Sequence, residues 1–426
     1  MAIPPLRVAV VARAAAPLHG AGGLERSVGD LVRHLAAREV QVTLITPPPT
    51  SVMPSGSDPF GSPFIELRQV PYLTFPFANR RGTTVIDRST AYLLYGERAG
   101  RLAGDLVSSG EADIVHGFGA SVLGYARRRP PRQAPLVLNP QGLEEFGATL
   151  ESPPFLKNLG YAPLRWAVRR CARAADCIIS TDAALDTTVQ RHLHPRPGQM
   201  RTIPNAIDLA HVTSLAGPAE GAILRQRMGI GADEFVLLSA GRLEHNKGLD
   251  VLAEALRRLS QPGEPLAAIA WRWVVVGGGP FRPAIERAAE QAGIGARVMM
   301  AGAAADPDLH AWYEAATLFV HPTRYEGSSL VTLEAMAHRR PVVASRAGGL
   351  PDKIRSGHNG WLAEPGDADS LAAALRDAIS ARTRLAEMGA RGRVIVEDEF
   401  SWSTIVDRQI GVYRELLDAF EPSRRL

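Results

Sequence analysis

The chain has 426 residues, of which 46% are hydrophobic and 22% charged, a composition typical of a globular protein rather than a disordered one. This length is too great for a single ordinary core and predicts two domains. The formal net charge of +4, from 48 basic and 44 acidic residues, is too small to indicate a nucleic-acid-binding protein.

The N-terminus and the two cysteines favour a cytoplasmic protein. The apolar run from Val8 to Ala12 is too short for the core of a signal peptide, and no uninterrupted apolar stretch is long enough to span a membrane. Cys171 and Cys177 lack the spacing of a CxxC pair or a zinc finger, so we expect buried free thiols. We therefore expect a protein that is soluble or attached at most to the inner face of a membrane.

In the first half of the chain, short β-rich runs alternate with amphipathic helical patterns, which is typical of parallel α/β architecture. The predicted strands are 7–11, 42–46, 113–117, 136–139 and 177–180. Gly22 and Gly23 precede a predicted helix and would let the backbone approach a phosphate or sugar closely, although any glycine-rich loop after a first strand looks similar. His116 closes a predicted strand, where it could face a ligand crevice or be a core residue with satisfied hydrogen bonds.

The second half repeats this alternation, with predicted strands at 235–241, 271–277, 297–302, 317–322 and 341–345. Two strand series of this kind predict two Rossmann-like domains in tandem. We place the boundary between Asp208 and Asp233, where no strand pattern occurs. The glycines at 277–279 are not followed by the last glycine of a dinucleotide fingerprint, because Arg282 stands there, so we discount NAD binding.

A first candidate site follows the strand at 235–241. Arg242 and Lys247 lie in the loop, and a helix begins after Gly248. Two cations beside a helix N-terminus above a parallel sheet would hold a diphosphate and stabilise the charge it gains on leaving, without a metal. The alternative is a pair of solvated surface charges.

A second candidate site follows the strand at 317–322. A polar loop contains Glu326, and the next helix starts near Ser328 and carries Glu334 among apolar neighbours. A carboxylate in such surroundings needs a hydrogen-bonding partner, which vicinal ribose hydroxyls would provide. The alternative is a helix N-terminal glutamate followed by a surface glutamate.

Together these segments resemble glycosyltransferase family 4, whose members are retaining enzymes of the GT-B fold. The resemblance lies in the Glu–x7–Glu element at Glu326 and Glu334 and the sequence that follows it to residue 352. It extends to GRLEHNKG at 241–248, VGGGP at 276–280, IPNAID at 203–208, the glycine loop at 22–25 and the terminal segment 399–416. Nearly the whole chain is covered in the family's order.

The resemblance implies two Rossmann-like domains facing across a cleft: an N-terminal acceptor domain, 1–208 with a returning helix at 400–426, and a C-terminal donor domain, 209–399. By this resemblance Arg242 and Lys247 bind the donor diphosphate and Glu334 binds the ribose. The transferred sugar would be held by Glu326 and by the backbone amides of Gly327, Ser328, Ser329 and Leu330. His116 would contact the donor sugar near the reaction centre, and Gly22 and Gly23 would lie against the phosphates.

Two departures from the family leave the substrates open. The donor motif reads EGSS where an aromatic residue often follows the glycine. The usual His-Gly of the acceptor domain is replaced by NPQGLEEF, with Asn139 and Gln141 as acceptor candidates. A basic amphipathic segment at 157–176 could touch anionic lipid, although a solvated helix explains it equally well and is favoured.

We thus expect a retaining hexosyltransferase that uses a UDP- or GDP-linked sugar, without metal or cofactor, and acts on a glycan, a lipid-linked or a small-molecule acceptor. Its oligomeric state is left open. The alternatives are a nucleotide-sugar epimerase or phosphorylase of the same fold, and a catalytically silent subunit that binds a sugar nucleotide. A glycoside hydrolase is disfavoured because Glu326 and Glu334 are not placed to face each other across a glycosidic bond.

Overall fold

The computed structural model describes residues 5–20, 22–50, 58–74, 84–129, 133–140, 143–147 and 159–424. The chain divides into an N-terminal unit, Met1–Pro204 with Trp402–Leu426, and a C-terminal unit, Asn205–Ser401. The sequence places the first boundary between Asp208 and Asp233, but this segment contains two helices of the C-terminal unit, Leu209–Leu215 and Pro218–Arg227. The division therefore precedes these helices.

The N-terminal unit is built on a parallel sheet of seven strands in the order β3-β2-β1-β4-β5-β6-β7. The strands are β1 Arg7–Val11, β2 Gln41–Thr46, β3 Ile65–Gln69, β4 Ile114–Phe118, β5 Leu136–Asn139, β6 Cys177–Ser180 and β7 Met200–Thr202. Residues of β1, β4, β5 and β6 are buried on both faces, since helices cover the sheet on both sides.

The C-terminal unit contains a second parallel sheet, with six strands in the order β10-β9-β8-β11-β12-β13. These strands are β8 Phe235–Ala240, β9 Trp271–Val276, β10 Val298–Gly302, β11 Leu318–His321, β12 Val342–Ser345 and β13 Gly360–Ala363. The strand order reverses between β8 and β11, and ligands of open α/β sheets bind outside the carboxyl ends of strands at such a switch point. This edge of the sheet is therefore where a ligand site is expected.

The helices cover the two sheets. Those of the N-terminal unit are α1 Gly23–Ala36, α2 Thr84–Ser89, α3 Ala91–Ser109, α4 Leu123–Arg127, α5 Ala162–Ala174 and α6 Ala183–Leu193. Those of the C-terminal unit are α7 Leu209–Leu215, α8 Pro218–Arg227, α9 Leu249–Leu259, α10 Arg282–Gln291, α11 Asp306–Ala315, α12 Leu330–Ala337, α13 Leu350–Lys353, α14 Ala368–Ser380 and α15 Leu385–Glu399. The last helix, α16 Trp402–Arg424, returns to the N-terminal unit, as the family resemblance implies.

All ten predicted strands are present, each with ends within one residue of those predicted. The two cysteines are buried and free, and burial raises the pKa of both thiols, to about 12 for Cys171 and about 11 for Cys177. Within the described residues, no helix combines the length and the apolar character needed to cross a bilayer.

Candidate functional site

The loops after β8 and β11 are joined at the carboxyl edge of the C-terminal sheet. The carbonyl oxygen of Asn246 accepts hydrogen bonds from Thr323 Oγ1 at 2.8 Å and from the backbone N–H of Arg324 at 2.7 Å. Gly248, with φ of +63°, packs so closely that a Cβ atom there would lie 2.0 Å from the carbonyl oxygen of Pro322. The two segments that sequence analysis singled out therefore form one site.

Glu326 is the centre of this site. Its Oε2 atom lies 2.6 Å from Lys247 Nζ and 2.7 Å from His321 Nε2. Burial alone would raise the pKa of Glu326, but the hydrogen bond from His321 and the charge of Lys247 outweigh it and hold the pKa well below the usual range. Glu326 is therefore an ionised carboxylate at neutral pH.

The adjoining histidine is best described as neutral. Burial lowers the pKa of His321, and the neighbouring Glu326 offsets only part of this effect. Since an ionised carboxylate can only accept hydrogen bonds, the proton between the two side chains belongs to Nε2 of His321. The hydrogen bond from His321 thus fixes the orientation of the Glu326 carboxylate, and Lys247 contacts the same oxygen, Oε2.

The segment after Glu326 leads into the N-terminus of α12. The Ser329 side chain caps this helix by accepting from the N–H of Thr332, and a buried lysine, Lys353, donates to Ser328 Oγ at 3.2 Å. Gly348, with φ of +52°, lies against this loop, and a Cβ atom there would be 1.9 Å from the carbonyl oxygen of Glu326. The amides of Gly327, Ser328, Ser329 and Leu330 thus belong to a braced loop at the positive end of a helix.

Glu334 faces the interior, with only 3% of the residue exposed. Tyr313 of α11 donates its hydroxyl to Glu334 Oε2 at 2.9 Å, which supplies the hydrogen-bonding partner that a buried carboxylate requires. Tyr313 in turn stacks on His338, whose ring also contacts His310 and Glu314. The prediction that Glu334 binds a ribose remains untested, but the tyrosine fixes the direction of its carboxylate.

Arg242 has a different environment from Lys247. Its side chain is 81% exposed and forms an ion pair with Glu244 at 3.0 Å. An exposed pair of this kind contributes little to stability, so the guanidinium is available to a ligand at small cost.

In the N-terminal unit, Gly22 is the N-cap of α1 and Gly23 its first residue, so both lie at the positive end of that helix. Asn139 is the last residue of β5 and pairs in register with Phe118 of β4. The other acceptor candidate, Gln141, lies outside the described residues.

The prediction that His116 closes its strand is wrong. β4 continues to Phe118, so the residue at the carboxyl end is a phenylalanine, and His116 is buried in the middle of the strand with 1% exposed. Its Nδ1 atom contacts the Tyr413 hydroxyl at 2.6 Å, while Nε2 is buried without a hydrogen-bond partner. A catalytic role for His116 remains a prediction, but neither ring nitrogen is exposed to a ligand in this conformation.

The burial of His116 makes acid stability a test of its environment. Desolvation lowers the pKa of this histidine to about 3, whereas an unfolded histidine titrates at about 6.5. The unfolded state therefore gains a proton first, and stability falls as the pH falls from about 6.5 toward 3, by about 3 kcal/mol at pH 4. In urea unfolding of the full chain between pH 7 and 4, His116→Gln should lose less stability than the wild type as the pH falls. An equal dependence of the unfolding free energy on pH in the two proteins would contradict the neutral buried state of His116.

Sequence analysis did not single out His321, Lys353 or Tyr313. A weak pattern existed for Lys353, since it is one of only three lysines in the chain and directly follows the family-like segment 334–352. Within the part of the chain that the structure describes, no three His, Cys, Asp or Glu side chains are grouped so as to hold a metal ion.

Comparison with known proteins gives consistent matches. The family model described as Glycosyltransferase Family 4 matches residues 21–211, and the model described as Glycosyl transferases group 1 matches residues 222–394. The chain is 30% identical to D-inositol 3-phosphate glycosyltransferase 1 of Catenulispora acidiphila, with 97% of each chain covered. It is 31% identical to a GDP-mannose-dependent alpha-(1-6)-phosphatidylinositol monomannoside mannosyltransferase of Mycolicibacterium smegmatis, over 56% of this chain and 64% of that one.

Among solved structures, the chain is similar to a sucrose-phosphate synthase from Thermosynechococcus elongatus. The TM-score is 0.76 at 24% identity, with 97% of this chain and 100% of that chain covered, which shows a shared fold. Together with the two parallel sheets and the sequence relatives, these matches show that the chain belongs to glycosyltransferase family 4 and is a glycosyltransferase of the GT-B fold.

Proposed function

We propose that the enzyme transfers a hexose from a UDP- or GDP-linked donor, with retention of configuration and without a metal ion. The observation that carries the proposal is the cluster of Lys247, Glu326 and His321, in which an ionised carboxylate and a cation lie 2.6 Å apart at the carboxyl edge of the sheet. This arrangement offers acceptors for sugar hydroxyls beside positive charge for a diphosphate.

The diphosphate would lie between Lys247 and the N-terminus of α12, with the exposed Arg242 closing on it. Fixed positive charge at these positions stabilises the leaving diphosphate as its charge grows in the transition state. A lysine and a helix N-terminus can supply this stabilisation in the role that a divalent cation has in other transferases.

Glu326 is suited to holding the sugar rather than to donating a proton. A carboxyl group that acts as a general acid near neutral pH needs a raised pKa, whereas that of Glu326 is lowered. This argues against Glu326 as the proton donor in the hydrolase alternative. In the proposed reaction the acceptor attacks from the face that the leaving group departs from, and an oxygen of the leaving phosphate takes the acceptor proton.

Donor binding without metal can be tested by thermal unfolding in UDP, GDP, ADP and their sugar conjugates, with and without EDTA. A ligand at about 100 times its Kd stabilises the folded state by about 2.7 kcal/mol, which raises the Tm by several degrees. We expect a shift for one nucleotide that EDTA leaves unchanged. A shift that EDTA abolishes would contradict metal independence, and no shift with any nucleotide would contradict a nucleotide-linked donor and favour the phosphorylase alternative.

For the acceptor, the two sequence relatives are named for inositol compounds, one for D-inositol 3-phosphate and one for a phosphatidylinositol mannoside. An acceptor that carries an inositol or another polyol ring is therefore our first candidate, ahead of other glycans and small molecules. Radiolabelled sugar transfer to each class, followed by anomeric analysis of the product, tests both the acceptor and retention.

Contact with a membrane surface is the remaining part of the proposal. The N-terminal unit exposes several large apolar side chains, among them Trp166 of α5, which is 53% exposed, and Ile86 of α2. Ser89 of α2 donates a hydrogen bond to the carbonyl oxygen of Gly160, which connects α2 to the segment before α5. Arg127 lies over the Trp166 ring at 6.0 Å. Apolar side chains beside arginines suit an anionic interface. We expect Trp166→Ser to reduce co-sedimentation with anionic vesicles, and equal co-sedimentation would contradict this part.

A further inference from the structure

A second concave site lies at the opposite edge of the C-terminal sheet from the Glu326 cluster. This cavity of about 710 Å³ is lined by Thr317 and Pro341, which immediately precede β11 and β12, and is walled by α8, the end of α11 and the start of α15. The Glu326 cluster follows the carboxyl ends of the strands, whereas this cavity lies at their amino ends. The two sites are therefore separate.

The charge of the cavity is strongly positive. Its charged lining residues are four arginines and one glutamate, a formal excess of three positive charges: Arg225, Arg339, Arg340, Arg382 and Glu314. Burial lowers the pKa of Arg340, Glu314 raises it, and the charges of Arg225 and Arg339 lower it again. These guanidinium groups thus lie close enough to repel one another.

Two of the arginines are fixed in place by the protein. Arg225 donates to the carbonyl oxygens of Ala315 at 2.8 Å and Ala232 at 2.8 Å. Arg340 donates to the carbonyl oxygen of Ala316 at 2.9 Å and to Glu314 Oε2 at 3.0 Å. Their positive charges are therefore held at the cavity wall before any ligand binds, at a cost already met by folding.

The other two arginines have unused donors. Arg339 and Arg382 are exposed, and the guanidinium group of neither makes a hydrogen bond or ion pair within the part of the chain that the structure describes. Four guanidinium groups surround this cavity and only one carboxylate lies among them, so most of their charge is not neutralised by the protein. Arginine forks in this setting match the oxygens of a phosphate group.

The start of α15 is a second, independent observation. Leu385 and Ala386, the first residues of this 15-residue helix, line the cavity, and the N-cap residue Arg384 provides no side-chain cap. The positive end of this helix dipole therefore lies beside the same cavity as the arginines. This combination is the one that proteins use for oxyanions.

We propose that the cavity between α8, α11 and α15 binds a phosphate-bearing small molecule, with Arg339 and Arg382 as its direct contacts and the α15 N-terminus as a further donor. The site would not overlap the donor site, because it shares no residue with the Glu326 cluster.

Isothermal titration calorimetry of the full chain with inorganic phosphate and with a hexose 6-phosphate tests this. We expect binding of at least one probe, weakened at least about tenfold in Arg339→Gln/Arg382→Gln. The matched control is Arg173→Gln/Arg287→Gln, which removes the same charge at two exposed positions outside the cavity and should bind as the wild type does. Tighter binding of the sugar phosphate would identify a phosphorylated metabolite as the ligand, and equal binding would identify phosphate itself.

A parallel titration of Lys247→Ala separates this site from the donor site. We expect phosphate binding to persist in that variant and nucleotide binding to persist in Arg339→Gln/Arg382→Gln. Absence of binding by the wild type, equal affinity of the cavity variant, or loss of phosphate binding in Lys247→Ala would each overturn the proposal, and none of these outcomes bears on whether the enzyme is a transferase.

Discussion

Replacing Lys247 with alanine is expected to lower kcat about 100- to 1,000-fold, the range found when one preorganised donor to a developing anion is removed. The reason is that Lys247 acts on two groups. In the proposed site its ammonium stabilises the leaving diphosphate, and it also lies 2.6 Å from Glu326 and helps to keep that carboxylate ionised. Steady-state kinetics at saturating donor measure the effect, and activity equal to the wild type would remove Lys247 from the diphosphate site.

A loss of activity through misfolding must be distinguished from a loss of chemistry. Lys247 lies in a short turn, His245–Lys247, in which no residue is fully buried, and 18% of its side chain is exposed. Its partner Glu326 keeps the hydrogen bond from His321. We therefore expect the urea midpoint of Lys247→Ala to change little. Lys247→Arg restores the charge with a different geometry and should recover part of kcat, which a purely structural role would not explain.

The strands that sequence analysis missed share one physical property. β3, β7 and β13 are edge strands of their sheets, and the residues of β3 alternate between half-buried and exposed instead of forming an apolar run. Strands inside a parallel sheet are buried on both faces and read as continuous apolar segments, whereas an edge strand does not need to. The interior of both sheets could thus be predicted from local sequence, and so could one edge strand, β10, whereas the other three edge strands could not.

In the candidate site, residues on loops after neighbouring strands could be predicted to meet, whereas residues from elsewhere in the chain could not. Lys247 and Glu326 follow β8 and β11, and because these strands are neighbours in the sheet, their loops could be expected to meet. His321 has no local feature that distinguishes it from a core histidine. Lys353 comes from the helix after β12, and only the fold brings it to Ser328.

For His116 the error was the opposite one: a residue that the structure buries was predicted to contact a ligand. The resemblance to the family assigned it a ligand contact, and the local pattern ended its strand one residue too early. The structure gives it Tyr413, 297 residues away in sequence, as a hydrogen-bonding partner from the returning helix α16. No local pattern in 113–117 contains this information, because it depends on where the C-terminal helix packs.

Glu334→Gln is expected to weaken the binding of every nucleotide donor by about 10- to 100-fold, equivalent to about 1.5–3 kcal/mol for a hydrogen bond to a charged group. The loss should be the same for different sugars on one nucleotide, because the proposed partner is the ribose. Glutamine keeps the shape of the side chain and an oxygen for the Tyr313 hydroxyl, so the fold should be retained. Calorimetric titration with the nucleoside diphosphate measures the change.

The ligand provides the matched control for Glu334. If the carboxylate accepts hydrogen bonds from the ribose, 2′-deoxy and 3′-deoxy nucleotides should bind the wild-type enzyme more weakly, while Glu334→Gln should discriminate much less between them. The coupling in this cycle isolates the contact from any general effect of the substitution. Tyr313→Phe, which leaves the carboxylate but removes the hydroxyl that orients it, should lose affinity by a smaller factor. Two results would contradict the ribose assignment: normal donor affinity in Glu334→Gln, or discrimination against the deoxy nucleotides in Glu334→Gln as strong as in the wild type. Either would mean that Glu334 is a structural partner of Tyr313 and that the ribose is held elsewhere.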